Sequence, residues 1–302
     1  FDKRNPLTAR VAVNRYWQMI FGRGLVSTPN DFGVQGQLPS HPELLDWLAL
    51  DFSENWNVKR LIKQMVMSKT YQQKSLVTEK LFKKDPNNIL LARSNSYRLP
   101  AEIIRDNALK LSGLLNTKFG GPSVKPYQPK GLWKEKNNFS VPLLEYEESK
   151  GEDLYRRGIY TFIKRTSPPP NMLTFDATSR EVCTVKRNIT STPLQALVLM
   201  NDPQFFEASR VFAEKIIKNR VSLKDQITYG FRLSTGRFPK DDEINVLVGL
   251  FENQYQYFLQ NRNKAYQILS VGEKPRDQNI FSVKAAAMTM VANTLINHNE
   301  TF

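Results

Sequence analysis

The residues best able to do chemistry gather between positions 156 and 187. Arg156, Arg157, Lys164, Arg165, Arg180, Lys186 and Arg187 stand there against only Asp176 and Glu181, with Tyr160, Phe162 and Phe175 interleaved. Guanidinium groups present paired N–H donors that match the oxygens of carboxylate, sulfate and phosphate. Arg157, Arg165, Arg180 and Arg187 are therefore the expected ligand-binding set. Asp176 and Glu181 supply the two carboxylates that acid–base chemistry on an acidic glycan needs. Cys183, set between Glu181 and the cations Lys186 and Arg187, is a third catalytic candidate, because neighbouring positive charge favours the thiolate. A structural alternative stands beside each reading. The arginines can pair with Asp176, Glu181 and helix C-termini as scaffold, and a lone cysteine can serve as a small hydrophobe.

Other chemistries find little support. His41 and His298 are the chain's two histidines and lie in unrelated segments, without the spacing of a transition-metal site. The acidic, glycine-turned loop of a calcium-binding hand is missing, as is the G-x-S-x-G elbow of a serine hydrolase. Gly22-Arg23-Gly24 follows a helical pattern and reads as a helix stop, not a phosphate loop. No C-x-x-C-H occurs, so this segment is not expected to attach haem covalently and no cofactor is expected in it.

These residues must be positioned by helices. Apolar residues recur at helical spacing through Val11, Val13, Tyr16, Trp17, Ile20 and Phe21, and Gly22 supplies a stop. Ser40-His41-Pro42-Glu43 matches a capping box ahead of Leu44, Leu45, Trp47 and Leu48. The pattern predicts further helices over 58–71 and 100–115, and then from Pro193, Pro203, Leu223, Asp241 and Phe281, with Thr192 and Asp202 as N-caps. Trp17 and Trp47 are both expected in the core, each having aliphatic neighbours three or four positions away. Between 120 and 170 the helical period is lost to Gly and Pro. There Gly158-Ile159-Tyr160-Thr161-Phe162-Ile163-Lys164 reads as a strand whose partner is expected near 140–144. The expected fold class is mainly α: helical lobes at 1–119 and 171–302, forming one body, around an irregular, partly β insert at 120–170.

Composition limits the function classes. The net charge of +14 favours anionic partners: acidic or sulfated polysaccharide, an acidic neighbouring domain, or nucleic acid. No helix-turn-helix, RNA-recognition or zinc-finger pattern supports nucleic acid. One cysteine forbids an internal disulfide, and no apolar run approaches the ~20 residues that span a bilayer. The start, without Met and without an apolar leader, is expected to be the edge of a longer chain.

Several blocks carry a family resemblance. Asn5-Pro6-Leu7-Thr8-Ala9-Arg10-Val11, Tyr16-Trp17 and His41-Pro42-Glu43-Leu44-Leu45-Asp46-Trp47 are followed by Arg156-Arg157-Gly158-Ile159-Tyr160, Arg180-Glu181-Val182-Cys183 and Thr192-Pro193-Leu194-Gln195-Ala196-Leu197. Together they resemble the planctomycete-type, cytochrome-c-associated C-terminal domain of unknown function (DUF 1553) across essentially the whole chain. The resemblance implies an exported protein, periplasmic or extracellular, whose partners include upstream domains of the same polypeptide. It carries no activity over. The expected function is an accessory domain that binds an acidic or sulfated glycan or docks partner domains. The alternatives are a glycan hydrolase or lyase using Asp176 and Glu181, and nucleic-acid binding.

Overall fold

A computed structural model describes residues 4–135 and 145–302. The chain divides into two compact units, Phe1–Tyr97 with Thr184–Lys186, and Arg98–Cys183 with Arg187–Phe302.

The first unit holds α1 (Leu7–Phe21), α2 (Pro42–Asn55), α3 (Val58–Met67) and the short α4 (Glu79–Lys84). Val13, Trp17 and Phe21 of α1 meet Leu45, Leu48 and Phe52 of α2 and Leu61 and Met65 of α3 in one apolar core. Gly22, at φ 76, ends α1 in the left-handed conformation that glycine adopts without a Cβ penalty. Two expectations are corrected here. Trp17 is buried, but Trp47 is 56% exposed. The face of α2 that meets the core runs through Leu45, Leu48 and Phe52, and Trp47 falls on the other side of the helix. The capping box also fails to form. His41 is the N-cap without a side-chain bond to the helix, Pro42 occupies the first turn, and the Ser40 hydroxyl pairs with His41 Nδ1 at 3.0 Å.

The second unit holds α5 (Ala101–Ser112), α6 (Leu132–Glu135), α7 (Pro170–Thr174), α8 (Pro193–Asn201), α9 (Pro203–Asn219), α10 (Leu223–Thr235), α11 (Asp241–Gln260), α12 (Arg262–Leu269) and α13 (Ser282–Ile296). Its centre is α13, which is apolar around most of its circumference and correspondingly buried, with Val283, Ala286, Met288, Val291 and Leu295 inside. Phe205, Phe212 and Ile216 of α9, Leu247 and Phe251 of α11, and Ile104 and Ala108 of α5 close around it. Thr192 and Asp202 cap as expected: Thr192 N–H donates to Gln195 Oε1 at 3.3 Å, and Asp202 Oδ1 accepts from Gln204 N at 2.9 Å.

The strand expected at 158–164 does not form. Gly158–Tyr160 is a turn of 3-10 helix, and the neighbouring chain makes only isolated bridges, Val124 with Thr161 and Lys164 with Ser167. Helix α5 takes up this stretch in place of a ladder. Gly158 N–H donates to Asp106 Oδ1 at 2.6 Å, and a Cβ at 158 would come within 2.8 Å of the Glu102 carbonyl oxygen. The partner strand expected near 140–144 lies outside the described residues.

Buried ionic groups hold the irregular segment against the helices. Arg105 donates to Gln204 Oε1, to the Leu154 carbonyl and to the Arg156 carbonyl. Burial draws its guanidinium down to about 10 against the opposing charges of Asp106 and Asp202, so it stays charged at neutral pH. Glu207, fully buried on α9, accepts from Tyr155 at 2.9 Å, Tyr127 at 3.0 Å and Lys274 N at 2.7 Å. A buried carboxylate saturated in this way fixes three separate stretches of chain to one helix.

Candidate functional site

The site is built where α7 ends. Asp176 follows α7 at φ 59, and Arg180 adopts φ 61, a conformation unusual for a long side chain. Asp176 Oδ2 accepts from Arg98 Nη2 at 2.5 Å, from Thr190 N at 2.9 Å and from Thr190 Oγ1 at 2.8 Å. Arg98 also donates to the Thr190 carbonyl at 3.0 Å, and its guanidinium lies 5.5 Å from the centre of the Phe175 ring. Gln195 completes the clamp by donating to Thr174 O and Thr190 Oγ1. The Asp176–Thr190 contact thus closes the loop between them.

A second tie lies close by in sequence. Arg187 grips Glu102 with two hydrogen bonds, 2.7 and 3.1 Å, in the fork geometry that suits guanidinium and carboxylate. The electrostatics of both ties agree. Burial by itself would raise the Asp176 carboxyl, but hydrogen bonds from Thr190 and the charge and hydrogen bond of Arg98 outweigh it and hold the group below its ordinary range. Glu102 follows the same logic: burial opposes, the Arg187 hydrogen bond prevails, and the charge of Arg180 adds to it.

Between these ties the chain is open to water. Every residue from 179 to 194 is exposed, including Arg180, Glu181 and Cys183. Arg165 is exposed as well. Among the described residues, neither Arg165 nor Arg180 forms a salt bridge.

The predicted residues therefore part company. Asp176 is a structural anchor, paired with an arginine that the sequence reading did not single out. Arg187 and Arg157 are tied to Glu102 and to Asp106, the latter at 3.1 Å. Arg165 and Arg180 remain available to solvent. Glu181 and Cys183 are exposed on the loop, and Asp176 and Glu181 share no hydrogen bond or common partner among the described residues. No group of three His, Cys, Asp or Glu suited to a metal is found among the described residues. Two cavities in the second unit, of about 560 and 550 Å³, are lined by groups that include Gln128, Trp133 and Tyr146, and Tyr155, Glu273 and Lys274. None of the predicted site residues lines either.

Sequence reasoning missed Arg98, Glu102, Asp106 and Thr190. The only local signal was their position: Arg98 just before Pro100, and Glu102 and Asp106 one turn apart on the opening of α5.

The chain's residues 1–251 match the family model described as PSD1, protein of unknown function (DUF1553). The chain belongs to that family. Among curated proteins and among solved structures, nothing matches it.

Proposed function

For this member of the PSD1 family we propose a binding role: the loop closed by Asp176 and Thr190 captures an anionic ligand, an acidic or sulfated glycan, through Arg180 with Arg165 as a second cation. One observation carries the reading. The loop is exposed from residue 179 onward, yet it is pinned by ion pairs, so Arg180 is presented without the ordering cost that a free loop pays on binding. The chain's charge of +14 adds long-range attraction for a polyanion. An exported location and docking to further domains of the same polypeptide are part of the same proposal. Asp176 is engaged by Arg98 and Thr190 as an anchor of the loop, which supports a reading of binding.

The test is neutralisation of Arg180. Arg180→Gln is expected to leave the melting temperature unchanged and to elute from a sulfated-polysaccharide column at lower salt than the wild type. Arg187→Gln, by contrast, is expected to lower the melting temperature, because it strips Glu102 of its partner. Unchanged retention of Arg180→Gln would contradict the proposal.

A further inference from the structure

The larger of the two cavities in the second unit holds about 560 Å³, within the roughly 300–1,000 Å³ of small-molecule sites. Two of the side chains that line it are almost wholly buried, Gln128 at 9% exposure and Trp133 at 2%. Gln128 Nε2 and Trp133 Nε1 are both buried N–H donors without a hydrogen-bond partner. A buried donor left unpaired costs free energy that a bound acceptor returns. Among the described residues lining the other cavity, no side chain carries such an orphan.

Both donors stand in a wall that is already set. The Trp133 ring meets Tyr146 edge-on at 5.0 Å and Phe162 at 5.8 Å, and Lys164 Nζ and Lys125 Nζ lie 4.6 and 5.5 Å from its centre. These neighbours engage the ring and leave its N–H unused. Tyr146 is held in turn by donating its hydroxyl to the Pro126 carbonyl, and the Gln128 backbone N–H donates to Glu148 Oε1 at 3.4 Å. A donor fixed before binding loses little entropy when an acceptor arrives.

The lining selects the ligand. Lys130, Lys134 and Lys150 balance Glu145, Glu147 and Glu148, so the described wall has no net charge and favours neither anion nor cation, in a chain that carries +14. No Leu, Ile, Val, Met or Phe is among the described lining residues, so an aliphatic ligand would find little to pack on. Fixed N–H donors beside carboxylate acceptors suit a group that accepts and donates at once, as a hydroxyl does. We infer that this cavity binds a neutral sugar, with Gln128 Nε2 and Trp133 Nε1 donating to its oxygens and the glutamates accepting from its hydroxyls. Neither Arg165 nor Arg180 lines the cavity, so the inference does not rest on the anion reading of the 179–194 loop.

Isotope labelling of the tryptophan indole nitrogens, read by NMR, tests this, with Trp133→Phe to assign the Trp133 signal. The probes are glucose, galactose, mannose, xylose, cellobiose and lactose, each in millimolar excess. At least one is expected to shift the Trp133 signal saturably, while the signal of Trp17, in the core of the first unit, holds still. Gln128→Leu is expected to weaken that sugar at least tenfold and, because it removes an unpaired polar group, to keep or raise the melting temperature. A Trp133 signal unmoved by every sugar, or moved equally by N-acetylglycinamide as a neutral peptide probe, overturns the inference. So does a lower melting temperature for Gln128→Leu, which would show its amide to be already bonded. The two sites are separable, since Arg180→Gln should bind the sugar as the wild type does. Retention on the sulfated column that ignores Arg180, with the sugar shift intact, would remove the loop proposal and leave this one standing.

Discussion

At the scale of single residues, Asp176 is decided by Arg98. The carboxylate takes three hydrogen bonds on one oxygen, two from Thr190 and one from a guanidinium whose side chain is only 9% exposed. Arg98→Gln leaves Asp176 partly buried without its countercharge and should cost about 3 kcal/mol in urea unfolding, the lower end for breaking a buried pair. The pH dependence has a defined sign. Asp176 is held below its ordinary 3.8 in the folded state, so its contribution is complete above that value and is lost as pH falls through the folded one. Melting temperatures measured on acidification should therefore fall more steeply for the wild type than for Arg98→Gln. Parallel curves would show that Arg98 does not set the protonation of Asp176. None of this was legible in the sequence beyond the residue types. Arg98 and Asp176 are separated by 78 positions and Arg187 and Glu102 by 85, and no local spacing encodes a pairing that only tertiary folding creates.

At the scale of elements, the long helices were legible because periodicity and punctuation agree. The starts at Pro193, Pro203, Leu223 and Asp241 fall where Pro, Ser or acidic residues open an apolar period, and Gly22 and Gly236 close α1 and α10 in left-handed geometry. The short α4, α6, α7 and α12 escaped, since helices of four to eight residues carry too little period to register. Helix α2 shows the opposite failure. Its stretch holds Leu44, Leu45, Trp47, Leu48 and Leu50, apolar on more than one side, so periodicity fixes the helix but not which side meets α1. The 158–164 stretch misled for another reason: β-branched and aromatic residues suit a strand only when a neighbouring strand can pair, and here α5 takes the backbone donor of Gly158. The two tryptophans give the energetic test. Trp17→Ala should cost about 3–5 kcal/mol, as truncation of a packed core aromatic does, and Trp47→Ala less than about 0.5 kcal/mol, as exposed substitutions do. Equal losses in chemical denaturation would contradict the assigned phase of α2.

At the scale of the whole molecule, the excess of positive charge sets what can approach, and the loop between Asp176 and Thr190 is proposed to set where it stays. No helix among the described residues is long and apolar enough to cross a membrane. The proposed role, capture of anionic groups through Arg180 on a pinned, exposed loop with Arg165 as a second cation, separates charge from sugar. The most direct measurement is isothermal titration of the wild-type chain with one polysaccharide in its sulfated form and in its desulfated form, at low and at raised salt. Heat is expected only with the sulfated form, weakening as salt screens the contact, and reduced affinity is expected when Arg180→Gln is titrated in the same way. Equal binding of both forms, or binding of the sulfated form that ignores both salt and Arg180, would contradict it.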